Sequence, residues 1–201
     1  MKRPPILVIV LAASFVLLVA ALLIGSFTSP EFPAYTLTKR APAALGDTLV
    51  GPATYTLDAS ATDQWRRFDF ARNAVVDSGS WDIAFERFHL IVAPGGGIVD
   101  LGLVPFDSVT ALPGAGYEAN TVSGRDTINP GVGKWYDYSM LSHLLTSKHH
   151  VYAVRTPRGK YAKLEMLAYY CKDAGTACIT FRYAYQGNGS QSLKRQSPQA
   201  N

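Results

Sequence analysis

The sequence predicts an all-β fold: a single domain of curved antiparallel sheet with finger-like loops, preceded by one N-terminal transmembrane helix. Residues 6–27 contain no charged side chain and consist mainly of Leu, Ile, Val and Ala. After them, short runs rich in β-branched and aromatic residues alternate with Gly, Pro, Asn and Asp, a pattern typical of strands and turns. No segment in this second part keeps a helical period for long.

The apolar segment is long enough to cross a membrane. Its roughly 22 residues form a helix of about 33 Å, which matches a bilayer core. Lys2 and Arg3 precede it, so the positive-inside rule keeps the N-terminus in the cytoplasm. A cleaved signal peptide is the competing interpretation, although such peptides have a shorter apolar core of about 7–15 residues and a small-x-small cleavage site. Both interpretations export the rest of the chain.

Composition divides the chain into four parts. Prolines discourage regular structure directly after the apolar segment, and apolar residues become rare after Gln186. The predicted divisions are a membrane anchor over residues 1–27, a Pro- and Ala-containing spacer over 28–46, a β domain over 47–186 and a flexible tail over 187–201.

Six runs within the β domain have strand-like composition. The region from Pro94 to Gly133 separates them into two groups, and its Gly, Pro, Asp and Asn content predicts long loops or fingers. Loops of this length often carry binding functions. The predicted strands are Ala53–Leu57, Trp65–Phe70, Trp81–Val92, Val151–Thr156, Tyr161–Tyr170 and Ile179–Tyr185.

The two cysteines, Cys171 and Cys178, flank a short Gly-containing loop between two predicted strands. A hairpin at this point brings them face to face, so we predict a disulfide, which an exported domain can keep oxidised. Two buried thiols are the alternative. A metal site is disfavoured because neither a second Cys pair nor a nearby His completes four ligands.

Charge and motifs exclude some functions. The chain has 19 Lys and Arg against 15 Asp and Glu, a formal charge of +4, and both signs are interleaved without a basic stripe. Nucleic acid is therefore not an expected partner. Asp82 and Glu86 lie about 13 Å apart on a strand, too far for a paired-carboxylate hydrolase. We predict a non-enzymatic protein in which Asp82 bonds to backbone or to an arginine, with Arg87 and Arg155 as structural partners.

Two passages carry a family resemblance. They are Trp81-Asp-Ile-Ala-Phe-Glu-Arg-Phe88 and Arg155-Thr-Pro-Arg-Gly-Lys-Tyr-Ala-Lys163. With the segments around them, over about residues 50–186, they resemble the HmuY-like family of bacterial exported proteins. The supporting segments are Trp65–Phe70, Gly95–Gly97, Lys134–Tyr138 and the hairpin Leu164–Tyr185.

The resemblance implies a haem site between finger-like extensions, with two side chains, typically His, on the iron. This chain departs from that pattern, because residues 98–129 contain no His, Cys or Met. The candidate haem ligands are therefore His143, His149 and Met140. A Met/His pair is a known axial set for haem iron, and a turn brings Met140 and His143 to one side. The family's usual lipid anchor is replaced here by a membrane helix.

Two functions follow from these observations. The first is a structural or accessory subunit of a larger membrane complex, anchored through residues 6–27 and contacting other subunits through Trp135 and Tyr136. The alternative is a haem-binding protein of the HmuY type. In either case we expect a single-pass protein of the bacterial inner membrane with its C-terminal domain in the periplasm.

Overall fold

The computed structural model describes residues 5–27, 35–42, 49–172 and 175–194. The chain forms two compact units. One contains Met1–Glu31 and Asp137–Thr146, and the other contains Phe32–Tyr136 and Ser147–Asn201. The parts of the predicted spacer over 28–34 and 43–46, and of the predicted tail over 195–201, lie outside the described residues.

The first element is a helix, α1, from Ile6 to Phe27. Its apolar side chains are exposed, and its length and composition allow it to cross a membrane, a property that a signal sequence near the N-terminus shares. The predicted N-terminal apolar helix is thus confirmed, while its retention as a single-pass anchor stays a prediction.

The all-β prediction is also confirmed, and the strands within the described residues form four sheets. A five-stranded sheet has the order β1-β13-β12-β11-β6, and a four-stranded sheet has the order β3-β2-β4-β5. Two small two-stranded sheets, β7-β8 and β9-β10, complete the fold. The strands are β1 (Leu49–Asp58), β2 (Arg66–Asp69), β3 (Ala74–Val75), β4 (Ile83–Glu86), β5 (His89–Val92), β6 (Gly97–Asp100), β7 (Thr121–Ser123), β8 (Asp126–Ile128), β9 (Tyr136–Tyr138), β10 (Leu145–Ser147), β11 (Val151–Arg155), β12 (Tyr161–Cys171) and β13 (Gly175–Gln186).

The core between the two larger sheets is aromatic. The Phe68 ring on β2 lies 5.1 Å from Phe181 and 5.5 Å from Tyr183 on β13, in edge-to-face geometry. Phe70 stacks on Tyr185 at 5.9 Å. Alternate residues of β13 therefore point at the four-stranded sheet, as the period of two predicts.

The predicted strand Trp81–Val92 is divided in the structure. Arg87 has a positive φ of 52° and, with Phe88, turns the chain so that β4 and β5 pair antiparallel, with Ile83 opposite Val92. Composition did not indicate this turn, because two-residue hairpin loops usually contain Gly, Asn or Asp. The turn brings Phe88 and His89 to one end of the four-stranded sheet.

The described part of the predicted tail packs against the domain, in contrast to the flexible tail that its polar composition predicts. Leu193 is buried, and Ser192 forms an antiparallel bridge with Ala111. Gln186 Nε2 donates to Ser192 O at 2.8 Å. One buried apolar side chain and these hydrogen-bonded contacts hold residues 187–194 against the domain. So few contacts cannot be recognised from composition.

Candidate ligand-binding site

An apolar cavity of about 310 Å³ lies beside β5. One wall comes from the turn and first residues of β5, and the other from the end of β8 and the segment that follows it. The lining residues are Phe88, His89, Leu90, Ile128, Asn129, Pro130, Gly133, Lys134 and Tyr136.

Aromatic rings form the wall at the β4–β5 turn. The Phe88 ring centroid lies 4.4 Å from the His89 ring and 5.5 Å from the Tyr136 ring. Burial, with Tyr169 nearby, raises the pKa of the Tyr136 hydroxyl above its ordinary value, so that group stays protonated at neutral pH. The wall therefore offers flat apolar faces and a neutral hydroxyl donor.

Trp135 holds the β4–β5 turn, which forms the aromatic wall of the cavity. Its indole Nε1 donates to the Phe88 carbonyl at 2.8 Å, and only 2% of the residue is exposed. The prediction of Trp135 as an exposed partner contact is therefore wrong, because this hydrogen bond and burial place it in the core. Tyr136, the other predicted contact, is half-buried and lines the cavity.

Two asparagines hold the opposite wall. Asn120 Nδ2 donates to Val92 O at 2.7 Å, and Val92 N donates back to Asn120 Oδ1 at 3.1 Å. Asn129 is buried and donates to Glu118 O and to Asn120 Oδ1, while Gly131 N donates to Asn129 Oδ1. This network fastens the segment after β8 to the edge of β5, which gives the cavity a fixed shape.

His89 is the cavity residue best suited to coordinate a metal centre. Its ring packs against Phe88 with an angle of 39° between the ring planes and lines the cavity. Among the described residues, no hydrogen bond to either ring nitrogen is found. Neutral imidazole with a free nitrogen is a good ligand for iron. Within the described residues there is no cluster of three or more His, Cys, Asp or Glu side chains that could hold a bare metal ion.

A second cavity of about 390 Å³ shares Pro130, Gly133 and Lys134 with the apolar one. Its lining is charged, in contrast to the first. His150 Nδ1 lies 2.8 Å from Asp100 Oδ2 in this lining. Lys134 therefore stands where an apolar cavity meets a charged one. The charged residues of the second lining are Asp100, Glu118, Lys134 and Lys148.

The family model for the HmuY protein matches residues 61–183, which is more than half of the chain. The chain belongs to the HmuY family. This confirms the resemblance seen in the sequence.

Solved structures of HmuY type share the fold. An apo HmuY analogue from Tannerella forsythia is 17% identical, with a TM-score of 0.57, covering 69% of this chain and 96% of its own. A protein from Bacteroides vulgatus, assigned as HmuY-like and haem-binding, is 20% identical, with a TM-score of 0.58 and coverages of 71% and 98%. A protein from Bacteroides fragilis assigned as a lipoprotein is 15% identical, with a TM-score of 0.58 and coverages of 72% and 93%. No curated protein matches the sequence.

In this member of the HmuY family, the haem ligands expected from the sequence make other contacts. His149 Nδ1 lies 3.0 Å from Glu165 Oε1, and the same carboxylate accepts from Arg182 Nε at 2.5 Å. The His149 side chain is about half exposed and does not line the apolar cavity. This contact with a buried carboxylate gives His149 a structural partner.

His143 and Met140 belong to the unit that also contains α1. His143 Nδ1 bonds to the Tyr138 hydroxyl at 2.6 Å, and the backbone N–H of His143 closes a turn on Ser139 O at 2.9 Å. The turn expected over Met140 and His143 is therefore present. Met140 is 72% exposed. Their assignment as haem ligands stays a prediction.

The disulfide between Cys171 and Cys178 is present and closes the end of the β12–β13 hairpin, with a Cα–Cα distance of 5.5 Å. This confirms the pairing inferred from the flanking strands. A disulfide therefore cross-links the two strands of this hairpin in the HmuY fold of this chain.

His89 is a site residue that the sequence analysis did not identify. Its position at the start of a strand gave no indication that the turn before it opens onto a cavity. The signal that could have found it is the position of His89 directly after Phe88, the last residue of one family passage, together with Tyr136 in the supporting segment Lys134–Tyr138.

Proposed function

We propose that this chain is an exported tetrapyrrole-binding protein that takes haem into the apolar cavity, with His89 as an iron ligand. The observation that carries the proposal is the His89 ring, which has no hydrogen bond to another described residue and lines a cavity with Phe88, Leu90 and Tyr136. Family membership supports the same function, and one related structure is assigned as haem-binding.

The residues present fit such a ligand. A volume near 310 Å³ is at the lower end of small-molecule sites, so the cavity encloses part of a flat macrocycle and leaves an edge outside. Phe88 and Tyr136 provide aromatic faces for it. Haem iron, when bound, supplies the coordination position for an imidazole nitrogen. Lys134, at the border with the charged cavity, complements the carboxylates of the ligand.

A binding function of this kind needs no catalytic group, so we keep the non-enzymatic interpretation. The exported location also follows, since α1 serves as signal or anchor in either case. The finer assignment, a single-pass inner-membrane protein with a periplasmic domain, is part of the proposal.

The experiment is a visible absorption titration of the full chain in mild detergent with haem. We expect a Soret shift that saturates at one equivalent and is lost in His89→Ala, while His143→Ala and His149→Ala leave it unchanged. Loss of the shift in His149→Ala instead would move the ligand from His89 to the residue predicted from the sequence. No saturating shift in the wild-type chain would remove haem binding.

Lys134 has its own test with haem dimethyl ester, which lacks the two free carboxylates. Lys134→Ala should weaken haem binding several-fold and leave ester binding unchanged. An equal effect on both ligands would show that Lys134 acts on the shape of the cavity instead of on the carboxylates.

The second candidate function is the accessory subunit of a membrane complex. The specific observation that favours it is the exposed apolar surface of α1, which a helix within the membrane can offer to other helices as well as to lipid. Extraction in mild detergent should then give a large co-migrating assembly, and a lone monomer would count against this role.

A further inference from the structure

The loop that joins β9 to β10 exposes apolar side chains. Met140 is 72% exposed, Leu141 58% and Tyr138 49%. Residues 138–147 contain no Asp, Glu, Lys or Arg, and His143 is their only titratable group apart from tyrosine. Its Nδ1 bonds to the Tyr138 hydroxyl within the same loop. The tip thus exposes apolar side chains without an acidic residue, Lys or Arg among them, which is unusual for a solvent-facing loop.

The same compact unit contains α1, and the loop meets the C-terminal end of that helix. A Cβ built on Gly25 would lie 3.3 Å from Leu141 O and 3.5 Å from Leu141 Cβ. The absence of a side chain at Gly25 therefore allows the loop backbone to approach the helix closely.

Gly25 also indicates how deep the loop lies relative to the bilayer. The apolar span of α1 runs from Ile6 to Gly25, 20 residues. At 1.5 Å per residue this is about 30 Å, the thickness of a bilayer hydrocarbon core. When α1 crosses the bilayer with its N-terminus in the cytoplasm, Gly25 lies at the far boundary of the core. Leu141, in contact with Gly25, lies at the same level.

We propose that the loop over residues 138–144 is a second membrane contact, which inserts Met140 and Leu141 into the interface of the bilayer that α1 crosses. The inference rests on the retention of α1 as an anchor. Lipid is the occupant because the Gly25–Leu141 contact sets the depth of the loop, and because an apolar tip without acidic residues, Lys or Arg, flanked by a tyrosine, suits the headgroup boundary.

The test uses the full chain in lipid nanodiscs of mixed neutral and anionic phospholipid. Met140→Cys provides one reactive thiol, since Cys171 and Cys178 are joined in a disulfide. An environment-sensitive fluorophore at this position should shift to the blue and be quenched by nitroxide-labelled lipids. The matched control is Thr146→Cys, an exposed polar position on β10 of the same hairpin, where we expect weaker quenching.

A second variant tests the contact itself. Gly25→Leu places a side chain against Leu141 O and should reduce quenching at position 140. Ala13→Leu, at an exposed position within the apolar span of α1, should leave it unchanged. If the chain floats with vesicles but position 140 is quenched no more than position 146, the loop contact alone is overturned. If α1 is cleaved from the chain and the chain does not float, both the anchor and the loop contact are overturned. The haem titration tests ligand binding separately from these two outcomes.

Discussion

Arg158 Nη2 donates hydrogen bonds to both carboxylate oxygens of Asp82, at 3.0 and 2.9 Å. The same guanidinium binds Asp69 at 3.0 Å, and both carboxylate side chains are fully buried. Phe70 N completes the site by donating to Asp82 Oδ2 at 2.8 Å. Asp82 thus bonds to backbone and to an arginine, as the sequence suggested, but the arginine is Arg158 instead of Arg87 or Arg155.

Arg158→Ala should destabilise the domain strongly. The change removes the cation that binds both buried carboxylates and leaves Asp69 with Arg72 Nε at 3.9 Å as its ion-pair partner. Breaking a buried ion pair from one side costs about 3–5 kcal/mol. Since Arg158 is itself partly exposed, water can replace part of the interaction, and we expect about 3 kcal/mol in urea unfolding. Arg125→Ala, at an exposed turn of the β7–β8 hairpin, should change stability by less than about 0.5 kcal/mol. Equal stabilities of the two variants would refute this assignment.

The stability of the domain should depend on pH through the buried carboxyl of Asp82. Burial raises the pKa of Asp82 to about 6, while Arg158 and the Phe70 N–H oppose the rise. A carboxyl with a folded-state pKa above its unfolded value of 3.8 binds more protons in the folded state between those two pH values. This group therefore contributes most stability below about pH 4, and the contribution is lost as pH rises to about 6.

Carboxyl ¹³C NMR of the full chain measures the midpoint of Asp82 directly. A midpoint near 6, which moves upward in Arg158→Ala, supports both the burial and the opposing effect of Arg158. A midpoint near the ordinary value of an aspartate, with no response to Arg158→Ala, would show that burial does not govern this carboxyl.

The elements with strong local patterns were predictable from the sequence. The apolar helix, the strands β12 and β13 and the disulfide between Cys171 and Cys178 all follow from composition and period. The division of Trp81–Val92 was missed because Arg87 and Phe88 are not turn-type residues.

The candidate site was harder to predict because it depends on contacts between distant segments. The cavity needs the Trp135 bond to Phe88 O, which spans 47 residues, and the Asn120 bonds to Val92, which span 28. Neither bond leaves a local signature. The sequence therefore favoured histidines in conspicuous positions, such as His149, whereas the structure pairs His149 with Glu165 and places His89 at the cavity.

Removal of the disulfide should weaken the domain moderately. Cys171 and Cys178 are seven residues apart, and closing a loop of that size contributes about 2.5 kcal/mol in the chain-entropy model. The double variant Cys171→Ala/Cys178→Ala should show this loss in urea unfolding. Reduction of the wild-type chain with dithiothreitol should give a similar loss and have no effect on the variant. A loss in the reduced wild type without one in the variant would contradict the assignment.

Gly131→Ala should damage the proposed ligand site through its backbone. A Cβ at this position would lie 2.2 Å from Ile98 O, a backbone atom that cannot move aside without shifting β6. The segment from Asn129 to Gly133 would have to move, and with it the wall that carries Lys134. We expect a lower melting temperature and at least a tenfold weaker haem affinity. Gly114→Ala is the matched control, because its Cβ would meet only the end of the Gln191 side chain. If Gly131→Ala binds haem as well as Gly114→Ala does, the ligand does not use the cavity beside β5.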